Sequence, residues 1–197
     1  SLKTAGTKLH AKRLESTQFI QNALIGYLSD VDLPKAKIEL IWQEQSPALI
    51  GLYKPLFMFS ANPGSPLEPL NKVASGGEQS RVKLALKAAL GKHITLSCQI
   101  FDEIDTGISG ATAEKVGNLM SELANNQQII TITHLPQVAS KGNTHWLISK
   151  SSTETTTESS VNVLTDEARV EELARMLSGA KITQAAKNQA EALLKAR

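Results

Sequence analysis

The sequence contains very little cysteine and no long apolar stretch. Its single cysteine, Cys98, cannot form an internal disulfide bond, so nothing points to an oxidising compartment. No uninterrupted apolar run approaches the roughly 18 residues of a membrane-spanning helix, and no basic-then-apolar leader opens the chain. These absences predict a cytoplasmic protein with no membrane partner.

Excess charge of one sign is also missing. A net charge of +2 over 197 residues is too small to predict nucleic-acid binding from electrostatics alone. With 41% hydrophobic and 20% charged residues, the chain has the composition of a globular protein, either one domain or a domain with an appendage. Because the sequence opens on Ser1 inside a helical pattern, we expect it to be a fragment or a processed chain.

Hydrophobic spacing predicts one long helix over residues 2–28, with a sparse, lysine-rich first half. We interpret residues 1–30 as the end of a coiled-coil arm, the alternative being an ordinary surface helix. Strands and helices alternate through the middle of the chain, which predicts an α/β core with parallel strands and covering helices. Residues 31–197 would form this lobe, and the Ser-, Thr- and Glu-rich tract at 151–160 a solvated loop, either the tip of a hairpin or a loose loop.

A predicted helix begins within Ser75-Gly76-Gly77-Glu78. Ser75 and Glu78 have the spacing of a capping box, which explains those two residues but not the glycines. Each glycine weakens a helix by up to about 1 kcal/mol relative to alanine. A helix start without side chains in the way, carrying free N–H groups and a partial positive charge, also suits a phosphate. Both interpretations remain open from these residues alone.

Polar residues follow two predicted strands. Asp102 and Glu103 come after an apolar strand that ends at Phe101, and His134 comes after a strand over residues 128–133. Ligands of open α/β sheets bind beyond the carboxyl ends of strands. A Mg²⁺ ion would account for Asp102, and Glu103 could orient or activate a water molecule. The alternative is a loop of solvated acids and a structural histidine.

The order of these three motifs resembles that of the ABC ATPases: signature motif, Walker B motif and switch histidine. Longer stretches are similar to the RecN family, the SMC-like proteins of bacterial DNA double-strand-break repair and recombination. They are Lys72–Glu78, Phe101–Gly110, Thr133–Ala139, Phe59–Gly64 and Arg169–Leu177, so the resemblance covers nearly the whole chain.

The resemblance implies the carboxy-terminal half of an ATPase head that uses ATP and Mg²⁺ and is nucleoid-associated. Asp102 would bind the metal, while Glu103 and His134 would be catalytic. Ser75, Gly76, Gly77 and Glu78 would contact the nucleotide of a second, paired head. The D-loop, which contacts that partner, would be formed by Thr106, Gly107, Ile108, Ser109 and Gly110. Further implied partners are the amino-terminal half of the same protein and, for the intact protein, DNA.

Three features depart from the family pattern. No Walker A motif G-x-x-x-x-G-K-[ST] is present, since the Gly91-Lys92 pair has Leu86 at the first glycine position and His93 after it. This chain alone is therefore expected to be inactive. The glutamine-bearing loop of ABC heads is likewise not identifiable, and the resemblance places both motifs in the family's amino-terminal half. The third departure is the pair of polar residues Ser97 and Gln99 in a strand that should be apolar if it is buried on both faces. Two other functions remain as alternatives, a chromosome-structuring SMC head and a non-enzymatic interaction module.

Overall fold

The computed structural model describes residues 1–73, 76–91, 97–102, 105, 108, 110–152 and 156–196. The chain divides into two compact units. The first comprises Ser1–Ser97 with Thr106–Ile108, and the second Cys98–Asp105 with Ser109–Arg197. Within the described ranges, no helix combines the length and the apolar character needed to cross a bilayer. The predicted boundary between an arm at 1–30 and a lobe at 31–197 stays a prediction.

The first unit combines helices with an antiparallel sheet. Its elements are α1 (Leu2–Asp30), β1 (Lys37–Ala48), β2 (Gly51–Ser60), β3 (Glu68–Pro69), α2 (Leu70–Val73) and α3 (Gly76–Gly91). The sheet has the order β1-β2-β3. The long helix was predicted. The sequence pattern also predicts strands over residues 36–43 and 55–60, and the observed β1 and β2 extend further than these towards their shared turn. The two-residue strand β3 and the short helix α2 were not predicted.

Helix α1 ends in a local backbone turn. Asp32 adopts a left-handed conformation with φ of 65°, which short polar residues tolerate better than most. The chain reversal lets the Leu33 N–H donate to the Leu28 carbonyl at 2.8 Å, as in a Schellman-type helix end. Pro34 predicts the end of the helix from the sequence, because proline disfavours helix in the residue before it, and the structure adds Asp32 as the residue that makes the turn.

The first half of α1 is mostly exposed, as predicted, but one side of it contacts the β1–β2 hairpin. The Arg13 guanidinium lies over the Trp42 ring and donates to the Ile50 carbonyl at 2.7 Å. The Trp42 indole N–H donates to the Thr17 hydroxyl at 3.0 Å. Towards its other end, α1 joins the core of the unit. That core consists of Leu24, Leu28, Leu33, Ala36, Ile38, Phe59, Val82 and Ala85.

The second unit contains a parallel β-α-β arrangement. Strands β4 (Cys98–Asp102) and β5 (Gln128–Ile132) pair in parallel and are connected through helix α4 (Gly110–Ala124). The sequence predicted these three elements. The apolar side of α4 is buried, and its Gly117 lies so close to the Gln137 carbonyl that an added Cβ would be 3.0 Å from it.

The rest of the second unit is a hairpin and three helices. Helix α5 (Pro136–Ala139) precedes the antiparallel strands β6 (Trp146–Ser152) and β7 (Thr157–Val163). These strands include residues that we expected in the loop at 151–160. Helices α6 (Asp166–Ser178) and α7 (Gln184–Lys195) follow, each with a threonine N-cap, and pack together through Leu173, Ala174, Ala186 and Ala190.

A buried arginine connects α6 to the loop after α5. Arg169 donates to the carbonyl oxygens of Gly142 at 2.7 Å and Asn143 at 3.2 Å. Nearby, burial lowers the pKa of His145, the Arg169 charge lowers it further, and Glu172 partly opposes both effects. The fold therefore favours the neutral form of His145, whose Nδ1 is buried without a hydrogen-bond partner among the described residues.

This arrangement predicts a pH-dependent stability. Because the pKa of His145 is lower in the folded state, its contribution is complete above about pH 6.5 and is lost as the pH falls towards the folded pKa. We expect the free energy of unfolding to decrease less between about pH 7.5 and 5.5 in His145→Gln than in the unchanged chain. Urea titration across this range measures the difference. Lys181→Gln, which removes an exposed positive charge elsewhere in the unit, should keep the original slope, and an equal slope in all three proteins would contradict the prediction.

Candidate functional site

Two predicted site residues lie at the same edge of the parallel strand pair. Asp102, the last residue of β4, is paired in register with Ile132, the last residue of β5. The side chain of Asp102 is exposed at this edge. Thr133 and His134 continue the chain directly beyond β5, so Asp102 and His134 follow neighbouring strand ends. This is the carboxyl edge, where α/β sheets bind ligands.

A buried carboxylate connects the two strand ends. Asp105 is only 2% exposed. Its Oδ2 accepts hydrogen bonds from the Thr133 hydroxyl and, at 3.0 Å, from the backbone N–H of His134. The Thr133 hydroxyl oxygen in turn accepts from the Leu135 N–H at 3.0 Å. The segment that follows β5 is thereby fixed to the segment that follows β4.

The ring of His134 lies against the same carboxylate. Its Nδ1 is 3.3 Å from Asp105 Oδ2, and its side chain is 73% exposed. One edge of the imidazole thus faces a buried acceptor, while most of the ring remains accessible from outside. A histidine held in this way can present its second nitrogen to a ligand.

Strand β4 is not buried on both faces. Gln99 and Phe101 are buried, whereas Cys98, Ile100 and Asp102 are exposed. The Gln99 amide is satisfied, because its Nε2 donates to the Gln127 side-chain oxygen at 3.0 Å. The condition under which the strand should be apolar, burial on both faces, is not met within this chain, and the polar Gln99 has a local explanation.

The predicted signature residues lie in the first unit, at the start of α3. Gly76 is exposed, and a Cβ built there would meet nothing within 4 Å outside its own helix. Internal packing therefore does not require a glycine at this position. Gly77 and Glu78 follow in the first turn, and Glu78 provides the acidic residue that suits a helix start. Ser75 lies outside the described residues.

The predicted D-loop is described only in part. Ile108 is buried, and Gly110 begins α4 with φ of 51°, a conformation that favours glycine. Thr106, Gly107 and Ser109 lie outside the described residues, as does Glu103. The roles predicted for all of these residues stay predictions.

The residues present are compatible with Mg²⁺ bound together with a nucleotide. Among the described residues, no three His, Cys, Asp or Glu side chains converge to hold a metal ion by themselves. Mg²⁺ at phosphate-transfer sites commonly uses one or two carboxylates, with waters and phosphate oxygens completing its shell. An exposed Asp102 at a strand end suits that donor set.

Two residues of this site were missed from the sequence. Asp105 and Thr133 were not assigned any role, although the first lies three positions beyond Asp102 and the second directly precedes His134. The burial of Asp105 and its hydrogen bond with Thr133 depend on how two strands from separate parts of the sequence come together. The only local signal was their position within the two motifs.

No family model matches the chain. Individual proteins do: it is 42% identical over 188 residues to the DNA repair protein RecN of Rickettsia conorii, covering 95% of this chain and 34% of that protein. The corresponding protein of Vibrio cholerae is 37% identical over 192 residues, covering 96% of this chain and 35% of that protein. The chain thus spans about a third of the length of these curated relatives.

Among solved structures, the chain is similar to an SMC ATPase whose ATP-driven dimerization and DNA-stimulated activation were studied. The TM-score is 0.60 at 19% identity, and the match covers 87% of this chain and 99% of that one. At this identity the likeness establishes the fold, the α/β fold of an SMC head.

Proposed function

Since the chain belongs to the RecN family over the segment that it spans, we propose that it is the carboxy-terminal part of an SMC-like ABC ATPase head. In the intact protein this head hydrolyses ATP in DNA double-strand-break repair and recombination. The observation that carries the proposal is the arrangement of Asp102, at the carboxyl end of β4, and His134, just beyond the end of the adjacent parallel β5, with the buried Asp105 connecting the two segments. The closer likeness to RecN than to SMC proteins favours a repair function over chromosome structuring.

Three residues act on the nucleotide bound by their own head. Asp102 holds Mg²⁺, which supplies charge neutralisation at the phosphates when bound. Glu103 orients the attacking water and accepts its proton. His134 approaches the γ-phosphate from the end of β5 through its exposed ring. Catalysis of this kind depends on positioning and electrostatics.

Two other segments act on the paired head. Ser75, Gly76, Gly77 and Glu78 present the start of α3 to the nucleotide held by a second copy. The open space at Gly76 supports this role, because no described neighbour outside its own helix excludes a side chain there. The D-loop, Thr106–Gly110, contacts the partner across the nucleotide. Residues 1–30 form the end of a coiled-coil arm, and residues 31–197 the lobe that carries the site.

The remaining partner is the amino-terminal half of the same protein. It supplies the Walker A loop, which this sequence lacks. Two exposed apolar faces in the second unit support such a partner. One includes Ile100 and Ile132 on β4 and β5. The other consists of Trp146, Ile148, Val161 and Val163, which are cross-strand neighbours on β6 and β7. Contiguous exposed apolar surface is typical of an interface.

The chain alone should not hydrolyse ATP, and addition of the amino-terminal half should restore turnover. The missing Walker A loop would provide most phosphate contacts through its backbone N–H groups and its lysine. Phosphate release with Mg-ATP, measured for each half and for the mixture, checks this outcome. Turnover by this chain alone would contradict it.

Trp146 provides an independent report on assembly. Its side chain is 59% exposed, so it should become buried when the amino-terminal half binds. In a Trp42→Phe background, Trp146 is the only tryptophan of this chain. Its fluorescence should shift to shorter wavelength on mixing with a tryptophan-free amino-terminal half. An unshifted spectrum in a mixture that hydrolyses ATP would show that this face is not part of the interface.

Glu103→Gln should nearly abolish turnover in the reassembled protein while ATP still binds. Glutamine keeps the shape of glutamate but cannot accept the proton of the attacking water, and loss of a general base typically costs about 10²- to 10⁴-fold. Asp102→Asn should instead weaken Mg²⁺-dependent binding. Single-turnover kinetics combined with equilibrium nucleotide binding separates the two effects. Near-normal turnover by Glu103→Gln would exclude its role as the base.

Ser75→Arg should prevent ATP-dependent pairing of heads without reducing nucleotide binding in its own head. The change places a long cation where the partner's phosphate would approach, and loss of the N-cap predicted at Ser75 would cost only about 1 kcal/mol. A typical domain, stable by about 5–15 kcal/mol, stays folded after such a loss. Sedimentation with ATP in a Glu103→Gln background measures pairing.

A control separates this effect from helix capping. Ser75→Ala removes the same cap without adding a charge, so it should lower the melting temperature as much as Ser75→Arg but permit pairing. If two Ser75→Arg heads paired normally, the signature assignment would be wrong.

A further inference from the structure

The hydrogen-bond acceptor beside His134 is the buried carboxyl group of Asp105, which faces both the backbone N–H and the ring of that histidine. Asp105 Oδ2 lies 3.0 Å from the His134 backbone nitrogen and 3.3 Å from its ring Nδ1. An ionised carboxylate only accepts hydrogen bonds, so an Nδ1 that faces it is favoured in the protonated form. The ring contact is slightly longer than the usual 2.7–3.2 Å of an N–H···O bond. Contacts of this kind in unliganded sites commonly shorten when the substrate binds.

We propose that Asp105 is a positioning residue that selects the Nδ1–H tautomer of His134 and orients its ring. The two nitrogens lie on different edges of the imidazole. A ring with Nδ1 against Asp105 therefore presents Nε2 away from the buried carboxylate, on the accessible side of a side chain that is 73% exposed. This inference rests on the proposed function for the identity of the ligand that Nε2 contacts, a nucleotide phosphate, but not for the tautomer itself.

Thr133 strengthens this arrangement. Its hydroxyl hydrogen is donated to Asp105 Oδ2, while its oxygen accepts from the Leu135 N–H. The Thr133 hydroxyl thus fixes the backbone on both sides of His134 relative to Asp105. Among the residues that the structure describes, however, only Asp105 supplies an acceptor to the ring. The two residues therefore differ in one measurable property: both support the segment, but Asp105 alone should determine the tautomer.

The tautomer can be measured directly in this chain by nitrogen-15 NMR of labelled histidine. The sequence has four histidines, and a His134→Asn variant identifies the signals of His134. At about pH 8.5, well above the usual histidine range, we expect His134 to be mainly Nδ1–H. The neutral histidine side chain in water prefers the Nε2–H form. A mainly Nε2–H His134 in the unchanged chain would overturn the proposal.

Two matched variants test whether Asp105 or Thr133 determines the tautomer of His134. In Asp105→Asn the carboxylate is replaced by a neutral amide, and the His134 signals should move towards the Nε2–H form. In Thr133→Val the hydroxyl is lost but the ring acceptor remains, so the Nδ1–H form should persist. An unchanged tautomer in Asp105→Asn, or the same change in both variants, would show that Asp105 does not select it.

Turnover of the reassembled protein then tests whether Asp105 acts through His134. Asp105→Asn should lower kcat by about 10-fold or more with little change in the KM for ATP, as expected when an interaction made only in the transition state is lost. In a His134→Ala background, Asp105→Asn should cause almost no further loss. Full additivity would overturn positioning through His134. If His134→Ala itself left turnover unchanged, the proposed ATPase role would fail, whereas the NMR result on the tautomer would stand.

Discussion

The site in the second unit depends on one buried carboxylate. Removing an ionised carboxylate from water is costly unless hydrogen-bond donors replace the solvent. Asp105 receives such donors from Thr133 and from the backbone of His134, which lie beyond β5, whereas Asp105 itself lies beyond β4. The carboxylate is therefore satisfied only when the two strands pair in the observed register. Because of this requirement, formation of the parallel strand pair also places His134.

The second unit exposes large apolar side chains of a kind that folded proteins usually cover. A parallel strand pair is normally covered on both faces, yet Ile100 and Ile132 are exposed on β4 and β5. The β6–β7 hairpin likewise exposes Trp146 and Val163, which are paired in register. Each large apolar side chain left in water forgoes roughly 1.5–3 kcal/mol of burial. A further polypeptide, the proposed amino-terminal half, would recover this free energy by covering these faces.

The long elements could be predicted from the sequence because local patterns determine them. The spacing in α4 and the caps at Thr165 and Thr183 predict helices on their own. The ends of strands could not be predicted where pairing with another strand determines them. Strands β6 and β7 continue into a polar tract because each strand pairs with the other along its length. For the site, only the residues within recognisable sequence motifs could be predicted. Asp102 and His134 could be identified, but the burial of Asp105 results from a long-range pairing that no local pattern encodes.

The glycines near the two predicted nucleotide-contacting segments differ in a way that bears on function. Gly110 has a positive φ at the start of α4, so the backbone itself accounts for the glycine. Gly76 has no positive φ, and a Cβ added to it would have no neighbour within 4 Å outside its own helix. Nothing described within the first unit requires a glycine there, although glycine weakens a helix by up to about 1 kcal/mol. A requirement from outside the unit, such as the close approach of a phosphate to the backbone of α3, would account for that cost.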